Sequence, residues 1–241
     1  MKLYIYSNPE QVAAAAAKRI ADTIHAKPDA VLGLPTGSSP IPTYWALIRM
    51  NSEGAVDFSR VTTFNLDEYV GLDGDHPQSF RRFINESLLN HINIRKERTH
   101  VPIGIGDVEA AAAAYEAAID AAGGIDLQLL GIGRNGHIGF NEPASAFTDR
   151  TGTIDLTPST IDANKRFFSS ADEVPRRAIS MGVGTIMRAR SIVLIATGSD
   201  KAEAVRGMIE GPIAPELPAS ALRLHRDAVV LLDQSAASLL G

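Results

Sequence analysis

The sequence predicts an α/β protein built on an open, mostly parallel sheet with helices on both faces. Three observations carry that expectation. Apolar β-type runs alternate with helix-type runs along the chain, the order that builds a parallel sheet from strand–helix–strand units. Runs such as SIVLIAT at 191–197 are apolar at nearly every position, as strands buried on both sides are. Four of the strands are followed by small or chemically active residues.

Each element has its own signature. Lys2–Tyr6 reads as a strand, and Pro9–His25 as a helix, with an alanine block at 13–17 and Lys18 and Arg19 toward its end. Ala30–Leu34 is a short apolar strand followed by PTGSSP, after which Ile41–Met50 is helical. Val61–Leu66 is a strand ending at Asp67. Ser79 caps a helix over Ser79–Asn90. Val108–Ala122 is an alanine-rich helix, and Ile125–Gly131 a strand. Ser191–Thr197 is a strand, GSDKAEAVRGMIEG a helix running to a glycine stop, and Ala228–Leu232 a last strand. No repeat or long linker interrupts this order, so residues 1–241 are expected to form a single domain. Phe147–Ser170 is polar and weakly periodic, which suggests a functional loop, with a lid over roughly 145–175.

Composition narrows the function. With 45% hydrophobic and 21% charged residues among 241, the chain is of ordinary globular type. A net charge of −5 argues against a nucleic-acid binder, which needs a clustered basic face. The absence of cysteine excludes disulfides, thiolate nucleophiles and Cys-ligated zinc. No apolar run approaches the roughly 18 residues of a membrane span, and the apolar stretch in MKLYIYSNPEQ is too short for a secretory signal. A cytoplasmic protein without membrane or nucleic-acid partners is expected.

Open parallel sheets bind ligands at the carboxyl ends of their strands. The loop Pro35-Thr36-Gly37-Ser38-Ser39-Pro40 offers a flexible glycine, hydroxyls and a helix start, where free N–H groups and the helix dipole suit an anion such as phosphate. A plain strand-to-helix turn has the same composition, and no Gly-Lys-Ser/Thr follows to make a P-loop. Asp67, in FNLDEY, is either a base with a raised pKa in a partly dry cleft or a helix cap or surface acid. Gly131, Gly133 and Gly136 match G-x-G-x-x-G, but Gly139 and Pro143 interrupt any helix that a dinucleotide site would need. The segment reads instead as a glycine-rich loop placing His137 and Glu142 in the crevice as an acid–base pair, the plainer alternative being a structural histidine bonded to a carbonyl. Two such side chains do not make a metal site. Lys201 could aim a cation at the same anion, and Arg166, in ANKRFF, could close over it from the lid; taken alone, each is an ordinary solvated charge.

The segments GLPTGSSP, TTFNLDEYVGL, GIGRNGHIGFNEPAS, ANKRFF, MGVGTIM and IATGSDKA stand in the order expected of the glucosamine-6-phosphate deaminases (the glucosamine/galactosamine-6-phosphate isomerase family), and the resemblance covers nearly the whole chain. It implies a Rossmann-like fold, no cofactor, and conversion of a phosphorylated amino sugar, glucosamine 6-phosphate, to fructose 6-phosphate and ammonia. By that resemblance Asp67 is the base for enolisation, and His137 with Glu142 serves ring opening. Thr36, Gly37, Ser38, Ser39, Arg166 and Lys201 hold the phosphate. Many relatives carry aspartate where this chain has Asn135, which can orient a neighbour but cannot carry a proton.

Two rivals stand beside this reading. A 6-phosphogluconolactonase also has a glycine-rich loop ending in histidine, but its motif continues differently from Gly139-Phe140-Asn141-Glu142-Pro143. A sugar-phosphate sensor would need a DNA-binding module, for which 241 residues leave no room. The sequence leaves monomer or homo-oligomer undecided. Allosterically activated relatives carry a basic pair where Gly152 and Ile154 stand here, beside Asp155, so no activation by N-acetylglucosamine 6-phosphate is expected.

Overall fold

The strand-and-helix alternation resolves into two sheets. A computed structural model describes residues 1–144, 146–157, 160–162, 165, 168, 170 and 173–241. Its strands are β1 (Lys2–Tyr6), β2 (Val31–Leu34), β3 (Thr62–Asn65), β4 (Asp67–Tyr69), β5 (Thr99–His100), β6 (Leu127–Leu130), β7 (Gly152–Asp155), β8 (Arg177–Ser180), β9 (Ser191–Ala196) and β10 (Ala228–Asp233). Its helices are α1 (Pro9–Ala26), α2 (Ile41–Ser52), α3 (Phe80–Ser87), α4 (Val108–Ala121), α5 (Val183–Met187) and α6 (Ala202–Glu210). Seven strands pair in parallel in the order β1-β10-β9-β6-β2-β3-β5.

Successive residues of a strand face opposite sides, and here both sides are dry. Val31, Phe64, Leu130, Leu194 and Val230 pack beneath α4, α5 and α6, while Leu32, Leu34, Leu129, Val193 and Leu231 pack beneath α1, α2 and α3. This two-sided burial explains the unbroken apolar runs; each fully buried aliphatic side chain contributes about 1.5–3 kcal/mol before conformational entropy is counted. Edge strand β1 is the exception, with Lys2 to Ile5 exposed.

Chain order along the sheet is not monotonic. From β2 the chain adds β3 and β5 on one side, then returns so that β6, β9 and β10 extend the other. The reversal lies between β2 and β6, where an open α/β sheet leaves a crevice at its carboxyl edge.

The second sheet, β4-β8-β7, is antiparallel, and the sequence gives little sign of it: its strands are only three or four residues long. Glu116 of α4 straps it to the main body. That buried carboxylate accepts hydrogen bonds from Thr151 N and Oγ1 at 2.8 and 2.5 Å, Thr185 Oγ1 at 2.5 Å and Arg188 at 2.7 Å. On the other side Tyr69, Phe80, Phe140 and Phe168 form an aromatic cluster. Part of the expected lid therefore belongs to this sheet, as β7, and Phe168 packs edge-on to Tyr69.

Two expected helices are shorter than their patterns. Ser79 does cap α3, through Arg81 N, but the α-helix ends at Ser87 and Leu89–His91 forms a separate 3₁₀ turn. Ser199–Lys201 is likewise a 3₁₀ turn before α6, entered through Gly198 at φ +89°. Among the described residues no helix is long and apolar enough to cross a membrane.

Candidate active site

The four loops singled out in the sequence share one edge of the main sheet. Thr36–Ser39 follow β2 and Gly131–His137 follow β6, flanking the reversal, while Asp67 leaves β3 and Lys201 follows β9. Gly37 adopts φ +94°, a conformation strained for any residue with a Cβ, and Ser39 packs against Gly131 across the crevice.

Asp67 begins β4 with only Leu66 between it and β3, so a short crossing from one sheet to the other fixes its backbone on both sides. The residue is 5% exposed, and its Oδ1 has no hydrogen-bond partner among the described residues. Burial, reinforced by the neighbouring Glu68 carboxylate, pushes its carboxyl up to about 8, with the Thr36 side chain pulling the other way.

Glu142 is also buried but richly served. Asn135 Nδ2 donates to its Oε2 at 2.6 Å and Thr160 Oγ1 to its Oε1 at 2.5 Å, and His137 Nδ1 lies 3.7 Å from Oε2, an ion-pair separation beyond hydrogen-bond length. Burial alone would raise this carboxyl, yet His137, Thr160 and Asn135 together hold it down at about 2. Asn135 Oδ1 also accepts from the His137 backbone N at 3.3 Å, so the amide ties Glu142 to the backbone of the histidine. The His137 ring lies flat on Gly133, where an added Cβ would stand 2.3 Å from Cε1 and Nδ1. The second glycine of the false dinucleotide motif thus exists for the ring.

One hydrogen-bond frame joins these two corners. Ser180 pairs with Asp67 across β4 and β8, and its Oγ accepts from Phe140 N at 3.2 Å. Asn141 Nδ2 donates to Ile138 O and Met181 O, both at 2.8 Å, stapling the His137 loop to the end of β8.

Lys201 is half-buried with Nζ 3.7 Å from Asp200 Oδ2, and Arg134 Nε reaches the same oxygen at 3.0 Å. Burial lowers the Lys201 pKa, Asp200 opposes that and Arg134 adds to it. Arg166 lies outside the described residues. Sequence reasoning passed over Glu68, Arg134, Thr160, Ser180 and Asp200. Glu68 and Arg134 stand inside quoted motifs and were legible as charges there; Thr160 and Ser180 are linked to the site only by folding. A groove of about 420 Å³ lies elsewhere, along α4, but Glu109, Glu116 and Asp120 face a single Arg150 there, a poor match for phosphate.

A buried carboxylate, a histidine–glutamate pair and a hydroxyl-rich turn, gathered at the reversal of an open sheet, define an α/β enzyme. The chain belongs to the family of glucosamine-6-phosphate isomerases and 6-phosphogluconolactonases, whose pattern matches residues 7–231. A glucosamine-6-phosphate deaminase of Clostridium perfringens is 54% identical over 241 residues, covering all of both chains. The solved structure of a monomeric glucosamine-6-phosphate deaminase is 47% identical, with a TM-score of 0.96 over 99% of this chain and all of the other. A 6-phosphogluconolactonase from Trypanosoma cruzi, at 22% identity and a TM-score of 0.76 over 99% of this chain and 96% of the other, shares the fold.

Proposed function

We propose that this protein is a glucosamine-6-phosphate deaminase, an isomerising hydrolase that converts glucosamine 6-phosphate and water to fructose 6-phosphate and ammonia. The full-length likeness to deaminases carries the reading, and the buried, partner-poor Asp67 near the Glu142–Asn135–His137 cluster supports it. Hydrolysis of a lactone needs no group that removes a carbon-bound proton; aldose–ketose isomerisation does, and Asp67 is built for that task.

The phosphate binds to the Thr36–Ser39 turn and Lys201, with Arg166 as a further contact, so that a remote group positions the reacting carbons. His137, set by Glu142 and Asn135, moves a proton between the anomeric hydroxyl and the ring oxygen as the sugar opens. The free aldehyde acidifies the proton on C2, which Asp67 removes to give an enol-type intermediate. Return of a proton to C1 leaves an imine at C2. One water then adds and ammonia leaves, giving the ketone.

Incubation with glucosamine 6-phosphate should release ammonia and fructose 6-phosphate in equal amounts. Hydrolysis of 6-phosphogluconolactone with no ammonia from the amino sugar would overturn the assignment. We also infer hyperbolic kinetics without activation by N-acetylglucosamine 6-phosphate: Gly152 and Ile154 of β7 supply no charge, and Arg150 is engaged by Glu116 at 3.3 Å. A sigmoidal substrate curve straightened by that compound would contradict this.

A further inference from the structure

The loop that carries His137 and Glu142 is backed at both ends by a segment from near the end of the chain, residues 211–220. Ala219 N donates to the carbonyl of Gly136, the residue before His137, at 3.0 Å. Ala144 N, just beyond Glu142 and Pro143, donates to Pro215 O at 3.2 Å. The backing segment is closed on itself. Leu217 N donates to Ala214 O at 3.0 Å and Ser220 N to Leu217 O at 2.8 Å. Ser220 Oγ accepts from Ala214 N and donates to Ala214 O, both at 3.0 Å. A buried 3₁₀ turn, Pro218–Leu224, then anchors the segment in the core.

At the centre of this segment the Leu217 side chain lies between two glycines. A Cβ added at Gly136 would stand 2.5 Å from Leu217 Cγ, and one added at Gly207 would stand 2.5 Å from Leu217 Cδ1. Neither position has room for a side chain while the leucine stays where it is. Gly136 has a second reason to be glycine, its φ of +85°. Gly207 has none in its backbone: it lies within α6, with ordinary helical geometry, where glycine weakens the helix. The close approach of Leu217 accounts for it. Helix α6 begins directly after Lys201. Leu217 therefore fills the space between the turn that presents His137 and the helix behind Lys201.

We propose that Leu217 is a positioning residue for His137: wedged between Gly136 and Gly207, it sets how far the histidine turn stands from α6, and so where the imidazole meets the sugar. The proposal rests on the reading of His137 as the ring-opening group. Within the turn, Gly136 N donates to Gly133 O at 3.0 Å and Gly133 N to His137 O at 2.9 Å. Those bonds fix the shape of the turn and leave its distance from the rest of the molecule open. Asn141 anchors the far side of the loop to the end of β8; Leu217 and Ala219 anchor the near side. Misplacing a reacting group by about 1 Å costs on the order of 10²-fold in rate, so a packing contact that touches no substrate can govern the step.

The test compares two substrates on the intact protein: glucosamine 6-phosphate, and its 4,5-dideoxy analogue, which has no hydroxyl to close a five- or six-membered ring. L217A should slow turnover of the cyclic sugar by about tenfold to a hundredfold. KM should change little, because the phosphate anchor is untouched, and turnover of the open-chain analogue should stay near that of the parent. L217M, which nearly conserves volume, should recover most of the loss. Equal losses on both substrates, the mark of a merely weakened fold, overturn the proposal. So does an unimpaired L217A, or an L217M as slow as L217A. Where L217A does not fold, G207A decides: its methyl group presses on Leu217 from the helix side, while alanine itself favours the helix. Selective slowing of the cyclic sugar in G207A supports the proposal, and unchanged or equally reduced rates overturn it. Failure of the underlying assignment is read separately, as an H137Q variant that impairs both substrates alike.

Discussion

Asp67 and Glu142 are two buried carboxylates on one sheet edge, and they live in opposite worlds. Asp67 is starved of donors, stands beside another anion and is pushed up to about 8; Glu142 takes hydrogen bonds from Asn135 and Thr160, faces His137 and is held at about 2. Burial is the largest push on Asp67 and little opposes it there, whereas at Glu142 the push from burial is outweighed by His137, Thr160 and Asn135. On the proposed mechanism the difference separates two duties. A carboxylate that must take up a proton is kept short of partners, and one that must stay charged to orient a histidine is surrounded by them.

The comparison breaks most sharply at Asp67. D67N should lower turnover by about 10²–10⁴-fold, the usual contribution of a general base, while binding of a substrate analogue survives; deuterium exchange at C2 measures it. The same substitution should stabilise the fold. A carboxyl raised from 3.8 to about 8 gives stability that is present below pH 4 and lost as pH climbs through 8. The melting-temperature advantage of D67N should therefore be small near pH 4 and largest above pH 8. An equal advantage at both would mean that Asp67 carries no such burden.

On the Glu142 side, H137Q should slow turnover of the cyclic sugar by about 10²-fold, and an open-chain analogue should recover part of the loss. Equal impairment of both forms would place His137 outside ring opening. Lys201 belongs to neither corner, so K201A should leave both pH limbs in place. It should weaken phosphorylated ligands alone by about tenfold to a hundredfold, the worth of one charge-assisted hydrogen bond. Equal losses for glucosamine and its 6-phosphate would contradict a phosphate contact. The smallest effect is expected from E142Q away from catalysis. Glu142 contributes stability that is present above about pH 4.5 and lost as pH falls through about 2. E142Q should melt several degrees lower than the parent at pH 6, and the gap should close toward pH 2.

How much of this was legible follows from range. The seven-stranded sheet was readable because strands buried on both faces leave apolar runs that local composition reveals, as in β9 and β10. Asp67, His137 and Glu142 were readable because each follows such a strand. Their opposite electrostatics were not, because Thr160 reaches Glu142 from a segment with no periodicity, and Glu68 is fixed by donors from a helix that starts 12 residues later. The small sheet was hidden for a similar reason: β4, β7 and β8 are too short for a two-residue period to show, and tertiary pairing alone defines them.

The reversal of strand order has a consequence for how the protein comes into being. Thr36–Ser39 and Asp67 belong to the part of the chain made first, His137 and Glu142 to the middle, and Lys201 to the last part. No contiguous stretch of the polypeptide holds a working site. On the proposed mechanism, a chain emerging from the ribosome carries the base and the phosphate turn long before the histidine that opens the sugar, and gains Lys201 only when β9 has passed. Any ligand that bridges the crevice binds only the completed fold, and so favours that fold by mass action over every partly built or partly opened form. Substrate in the cell then acts as a fastener between the early and late portions of the molecule, and the enzyme is most resistant to opening when it has work to do.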